Sequence, residues 1–205
     1  MQIINERVLK LLAEGYRLKL DLGSGRMPQP GYFGVDLPSS GCTDIWADLN
    51  EALDKIPNRC VDRIYTRHTL EHVENILLVM EEIHRIVAKD AVIDIIVPHF
   101  SNVYGYSDVT HRRLFGVYSM FYFSNVEHQP QRKVPSYYSN ARFQVLSVRI
   151  RFYRHGILDF LISPVLERLI NGSFQCQVFY ERRLARLFHA WEIHYRLTPV
   201  IDITR

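Results

Sequence analysis

Leu18-Lys19-Leu20-Asp21-Leu22-Gly23-Ser24-Gly25 alternates apolar and polar side chains and then runs into a pair of glycines. Leu18, Leu20 and Leu22 fall on one side of an extended chain, and Arg17, Lys19 and Asp21 on the other. Arg17 to Leu22 therefore predicts a strand ending in a glycine turn. Upstream, Val8, Leu11 and Leu12 before Gly15 predict a short amphipathic helix with a glycine stop. Downstream, Tyr32 to Leu37 predicts a second strand with Asp36 at its carboxyl end. Asp44 to Ala47 predicts a third, with Asp48 directly after it, and Val61 to Thr66 a fourth. Val73 to Val87 carries Ile76, Met80, Ile83 and Val87 at helical spacing and charges on its other face. Ala91 to Val97 is a nearly continuous β-branched run that Pro98 ends, the pattern of a strand covered on both faces. Further on, Phe143 to Tyr153 and Ile193 to Ile203 predict strands, and Leu158 to Leu169 and Glu181 to Phe188 helices.

Strands alternating with helical segments imply parallel βαβ units in an open α/β sheet, wound with helices on both faces. Ligands of such sheets bind outside the carboxyl ends of the strands. By that rule Asp21 to Gly25, Asp36, Asp48, Thr66 to His68 and Pro98 to Asn102 converge on one crevice. A glycine turn lets backbone approach a ligand, and an acid ending the next strand can accept both hydroxyls of a ribose. Asp36 follows Gly25 by only 11 residues, and position 28 is Pro28. A dinucleotide site would place a third glycine there and its acid about 20 residues on, so a full pyrophosphate-binding helix does not fit.

A chain of 205 residues, 47% apolar, is long enough for one core and too short for two full domains. One domain is expected, with residues 1–100 as a ligand-binding half and 101–205 as a lid half. The runs Val117 to Phe123 and Ile157 to Leu166, the second broken by Asp159, fall short of the ~20 residues of a membrane span. The opening MQIINERVLK lacks the apolar segment of a secretory leader, so a cytoplasmic location is expected. Cys42, Cys60 and Cys176 are far apart, which suits a reducing compartment and three small buried hydrophobes rather than a zinc knuckle. Residues 1–100 hold 11 Lys+Arg against 15 Asp+Glu, whereas residues 101–205 hold 14 against 7, and all but Lys133 of those 14 are arginine. Arginine's planar fork suits phosphate or carboxylate, so an anionic acceptor or surface is one reading and a solvated face the other.

Taken together, Leu18 to Gly25, Gly31 to Asp36, Ala47-Asp48-Leu49, Asp62 to His72, Glu82 to Ile86 and Val97-Pro98-His99 resemble the class I S-adenosylmethionine-dependent methyltransferases. With Asp108-Val-Thr-His-Arg-Arg-Leu-Phe115, the likeness narrows to small bacterial methyltransferases found with surface-polysaccharide genes. It covers roughly residues 15–120 and, more loosely, 180–200. The resemblance implies a mostly parallel, seven-stranded Rossmann-like sheet with helical and aromatic insertions in the C-terminal half. It also implies S-adenosyl-L-methionine as cofactor and S-adenosyl-L-homocysteine as product. Asp21, Gly23, Ser24 and Gly25 would line the methionine part, Asp36 would hold the ribose, Asp48 and Leu49 would flank the adenine, His68 would sit beside the sulfonium, and Leu37 would also bind the cofactor. Met27 replaces the third glycine of the usual turn, and Ala88 to Ala91 the Pro-Gly-Gly before the fifth strand.

Methyl transfer needs alignment of an acceptor and, for a hydroxyl, a base. The candidates are His111, with Asp108 to orient it, and His99, all on or after the loop that follows the fifth strand. The aromatic group Tyr104, Tyr106, Phe115, Tyr118, Phe121, Tyr122 and Phe123 reads as core beneath a lid or as a sugar platform. The acceptor is expected to be a small molecule or saccharide, anionic or lipid-linked, with the segment from Gly156 to Phe174 as an amphipathic contact at the inner membrane face, a lid or a dimer face. The alternatives are a nucleic-acid methyltransferase and a catalytically silent scaffold. No metal is expected: His68-Thr-Leu-Glu-His72 matches an inverted zinc-peptidase motif, but His68 directly follows a strand instead of lying inside a helix. Glu71 and His72 are expected to open that helix instead.

Overall fold

The computed structural model describes residues 1–41 and 44–201; Cys42 and the tail of the last predicted strand lie outside the described residues. β1 (Gln2–Ile3) leads into α1 (Glu6–Ala13), whose first turn is capped by Asn5 accepting from Arg7 N at 2.9 Å. β2 (Leu18–Leu22), β3 (Phe33–Asp36), β4 (Ile45–Trp46) and β5 (Val61–Arg67) follow at the predicted places. Next come α2 (Ile76–Ile86) and β6 (Val87–Pro98), then β7 (Phe143–Phe152), α3 (Gly156–Ile170), α4 (Phe174–Arg183) and β8 (Ala190–Pro199).

These strands make one sheet in the order β1-β4-β3-β2-β5-β6-β8-β7. Pairings β3–β4, β2–β3, β2–β5 and β5–β6 are parallel, while β1–β4, β6–β8 and β7–β8 are antiparallel. The eighth strand, absent from the sequence expectation, is Gln2–Ile3, too short to show a period of two; it lies against Trp46 and Ile45. The chain runs outward from β2 to β4, then returns to lay β5 on the other side of β2. That reversal opens a crevice at the carboxyl ends of β2 and β5. Leu18, Leu20, Leu22, Ile64, Ile93 and Ile95 are fully buried between the sheet and its helices. Each such side chain contributes about 1.5–3 kcal/mol of hydrophobic stabilisation.

Several expectations need correction. β6 is not covered equally on both faces: Ile93, Ile95 and Val97 are buried, whereas Val92, Asp94 and Ile96 are only half-buried. Ala88 to Ala91 is no turn, because β6 starts directly after α2 and absorbs those residues as a bulge, the pairing jumping from Val61–Val87 to Arg63–Val92. α2 starts at Ile76, capped by the Asn75 side chain accepting from Leu78 N at 3.2 Å, so Glu71 and His72 remain in a turn. The last helix runs Phe174–Arg183 because Ser173 Oγ caps it at Cys176 N, 3.1 Å away; residues 184–188 form turns. Cys176 is exposed and Cys60 half-buried. The aromatic group splits, with Phe115, Phe121 and Phe123 in the core and Tyr104 and Tyr106 exposed. Among the described residues no helix is long and apolar enough to cross a membrane.

Candidate functional site

The turn after β2 is shaped by two left-handed glycines, Gly23 at φ 71° and Gly25 at φ 58°. A Cβ on Gly23 would stand 2.1 Å from Thr69 Oγ1, so the glycine also lets the turn close against the segment after β5. Asp36, at the end of β3, accepts from Gly25 N through Oδ2 and from Leu37 N through Oδ1, both at 2.6 Å. Two backbone amides thus fix this carboxylate at the crevice edge with further lone pairs to offer. Asp48, after β4, accepts from N and Nδ2 of Asn50 at 2.8 and 2.9 Å; Asn50 Oδ1 in turn accepts from Glu74 N at 2.6 Å. The second carboxylate is thereby tied to the turn that carries His68 to Glu74.

The resulting crevice has a volume of about 290 Å³, near the lower end of ligand pockets. Gly23, Asp36, Leu37, Asp48, Leu49 and His68 line it, six of the nine residues predicted to hold a cofactor, together with Thr69, His72 and Val73. Asp21, Ser24 and Gly25 do not line it. Asp21 is buried and braces the loop by accepting from Gln29 N at 2.8 Å; burial pushes its carboxyl up against that bond. Met27 is 86% exposed and outside the lining, so it takes no space from a ligand.

His68 closes the crevice at the end of β5 in a left-handed conformation, φ 53°, which costs a side-chain-bearing residue about 1–2 kcal/mol. Its ring lies between two carboxylates, 2.7 Å from Glu192 Oε1 and 3.3 Å from Glu71 Oε1. Burial opposes the imidazolium, but these bonds outweigh it and raise the pKa to about 9. The ring is a charged strap at neutral pH, with neither nitrogen free to take a proton. Glu192, on β8 opposite Pro98, also receives Arg67 at 2.8 Å and His194 at 2.9 Å. Sequence reading missed Glu192 and the ring cluster in which Tyr153 and Trp191 join Tyr104, with centroids 4.7–6.3 Å apart; Trp191 also meets the His68 ring edge-on at 6.3 Å. The pairing of β6 with β8 brings Glu192 and Trp191 beside His68 at the crevice wall.

The three predicted acceptor-side residues separate. The His99 side chain is fully buried; its Nδ1 accepts from Ser101 N at 3.1 Å and its Nε2 faces Glu181 Oε1 at 3.2 Å, which makes it a structural link to α4. His111 Nε2 stands 3.6 Å from Asp108 Oδ2, as the spacing of three residues suggested. The His111 ring lies 4.8 Å from that of His72, which connects the pair to the crevice wall. Asp108 is held below the usual carboxylate range, first by the Thr110 hydroxyl and then by Thr110 N–H.

No protein-family model matches the chain and no curated protein matches it in sequence. Solved structures do match in shape. A SAM-dependent methyltransferase from Archaeoglobus fulgidus superposes with a TM-score of 0.55 at 17% identity, over 95% of this chain and 92% of that one. The fold is that of the SAM-dependent methyltransferases. The 16S rRNA (adenine(1408)-N(1))-methyltransferase of Catenulisporales acidiphilia, a point mutant with cosubstrate SAM, gives 0.51 at 13% identity over 100% and 95% of the two chains. The YcgJ protein of Bacillus subtilis gives 0.50 at 12% identity over 97% and 100%. Within this methyltransferase fold, β2 carries the first glycine turn, β3 and β4 each deliver an acid, and the antiparallel β8 is inserted between β6 and β7.

Proposed function

We propose that the chain is an S-adenosylmethionine-dependent methyltransferase that moves a methyl group to a small-molecule or saccharide acceptor, yielding S-adenosylhomocysteine. The observation that carries this reading is the meeting of Asp36 and Asp48 in the crevice beside Gly23. The residues present fit a nucleoside carrying a sulfonium. Asp36, already fixed by two amides, offers lone pairs to ribose hydroxyls, and Leu37, Asp48 and Leu49 form the pocket for a base. When bound, S-adenosylmethionine supplies an electrophilic methyl group, so the chain's task is alignment and removal of a proton. With the cofactor bound, His111, whose Nε2 stands 3.6 Å from the Asp108 carboxylate, would take the proton from an acceptor hydroxyl or amine. His99, sealed in the core, takes no part.

Residues 1–100 hold the cofactor in this reading and 101–205 shape the acceptor side. The basic balance of the second half supports an anionic acceptor only in part, because Arg112, Arg151, Arg154 and Arg196 are engaged with Glu74, Glu167 and Asp94. Arg132, Arg182 and Arg183 remain around a cleft of about 750 Å³ with Tyr118 and Phe174, a surface suited to a phosphate or carboxylate. The outer face of α3, with Ile157, Leu158, Phe160, Leu161, Val165 and Leu169 exposed, supports an acceptor carried on a lipid at the inner membrane face. Calorimetric titration tests the central assignment: wild type binds S-adenosylmethionine, and Asp36→Ala weakens it at least about tenfold, as expected for loss of a charged hydrogen bond. Absence of binding to the wild type would leave only the scaffold reading.

A further inference from the structure

The turn between β5 and α2 contains a carboxylate of which one oxygen holds His68 and the other is buried and unused. Glu71 is 1% exposed, and its Oε2 is buried with no hydrogen-bond partner among the described residues. An unsatisfied buried carboxylate oxygen costs about 1–3 kcal/mol or more. One oxygen of Glu71, one ring nitrogen of His72 and one of His111 lie within 4.8 Å of one another, close enough to share a cation.

The same acid stands behind both imidazoles, through Thr110 for His72 and across 3.6 Å for His111. Thr110 Oγ1 donates to Asp108 Oδ1 at 2.6 Å, so its oxygen accepts from His72 Nδ1–H at 2.8 Å and leaves Nε2 of His72 with a free lone pair. Asp108 Oδ2 stands 3.6 Å from Nε2 of His111. A hydrogen bond behind a ligating histidine fixes its ring and tautomer, and Thr110 supplies one to His72. Arg112 N–H, donating to the Glu71 carbonyl at 2.8 Å, locks the loop that carries His111 onto the turn that carries the other two.

We propose that Glu71, His72 and His111 form a binding site for one divalent first-row transition cation such as Zn²⁺. Two imidazoles and one carboxylate favour such a cation over Mg²⁺ or Ca²⁺, and three protein ligands leave positions open for an exogenous oxygen. In this site His72 keeps the ligand role it has in the 68–72 motif, Glu71 ligates instead of polarising water, and His111, not His68, completes the set. The cation's role, unlike its binding, rests on the methyltransferase reading. His72 lines the crevice, so a bound cation would take an acceptor hydroxyl at its acceptor side and ease loss of the proton to water, replacing His111 as base.

The test is Zn²⁺ titration of the full chain after stripping with a chelator, against a zinc-sensitive dye, with S-adenosylmethionine binding to the stripped protein measured in parallel. One Zn²⁺ per chain is expected, with affinity at least about tenfold lower in Glu71→Gln and in His111→Ala, and unchanged in His128→Ala, an exposed histidine elsewhere. Replacing Zn²⁺ by Co²⁺ gives a second reading, a ligand-field spectrum that His111→Ala alters while its circular dichroism stays native. No stoichiometric Zn²⁺ binding, or equal binding by wild type and both ligand variants, overturns the site. Zn²⁺ bound without any affinity for S-adenosylmethionine would keep the site and overturn the methyltransferase reading instead.

Discussion

Glu192 and Gly23 show how much of this molecule is decided by single side chains. Burial works to raise the Glu192 carboxyl, but hydrogen bonds from His194, His68 and Arg67 outweigh it and hold the group well below the usual carboxylate range. A depressed folded-state value means that the contribution is complete at neutral pH and is lost as the pH falls through the ordinary carboxylate value of ~4.3 and below. Glu192→Gln is therefore expected to cost about 3 kcal/mol at neutral pH, a gap that narrows on acidification. Denaturant unfolding at a series of pH values measures it, and a gap independent of pH contradicts the assignment. Gly23→Ala meets both a left-handed backbone and the Thr69 side chain at 2.1 Å, so a loss of roughly 2–4 kcal/mol is expected in thermal unfolding. Gly23 was readable from sequence because it directly follows a strand whose alternation was plain, and Asp36 and Asp48 because each stands at or just past the end of a short apolar run. Glu192 was not, since its role is created by partners 124 and 125 residues away. Asp21 was placed at the right end of its strand, but nothing local tells a residue that lines a crevice from one that braces it.

At the scale of elements, β2 to β5 and β7 lie within a residue or two of expectation, whereas β6 and β8 start three or four residues earlier and α2 and α4 start elsewhere. Residues 69–74 have the composition of a first helical turn, yet tertiary bonds hold them as a loop. Arg113 donates to the carbonyls of Leu70 and Glu74, Arg112 N–H to that of Glu71, and Asn50 caps Glu74 N. These bonds use groups that a helix would have claimed, and Asn75 becomes the cap. Asn75→Ala is expected to lower stability by about 1 kcal/mol without altering the crevice; a shift of several kcal/mol would show that Asn75 does more than cap. For α4 the cap was visible, since Ser173 stands ahead of the true start, but the charged run from Glu181 drew the reading downstream.

For the whole molecule, the doubly wound sheet and its crevice follow from alternation, glycine turns and two acids after consecutive strands. The antiparallel pair β7–β8, the two-residue β1 and the part-covered face of β6 depend on long-range pairing that no local period records. A methyltransferase of this fold requires a nucleoside lying across the ends of β2, β3 and β4. The direct measurement is a crystal structure of the protein with S-adenosylhomocysteine. The ribose hydroxyls should lie within hydrogen-bond distance of the Asp36 carboxylate, with the adenine between Leu37 and Leu49 and the sulfur near His68. A nucleoside seated elsewhere, or a ribose turned away from Asp36, would contradict the account.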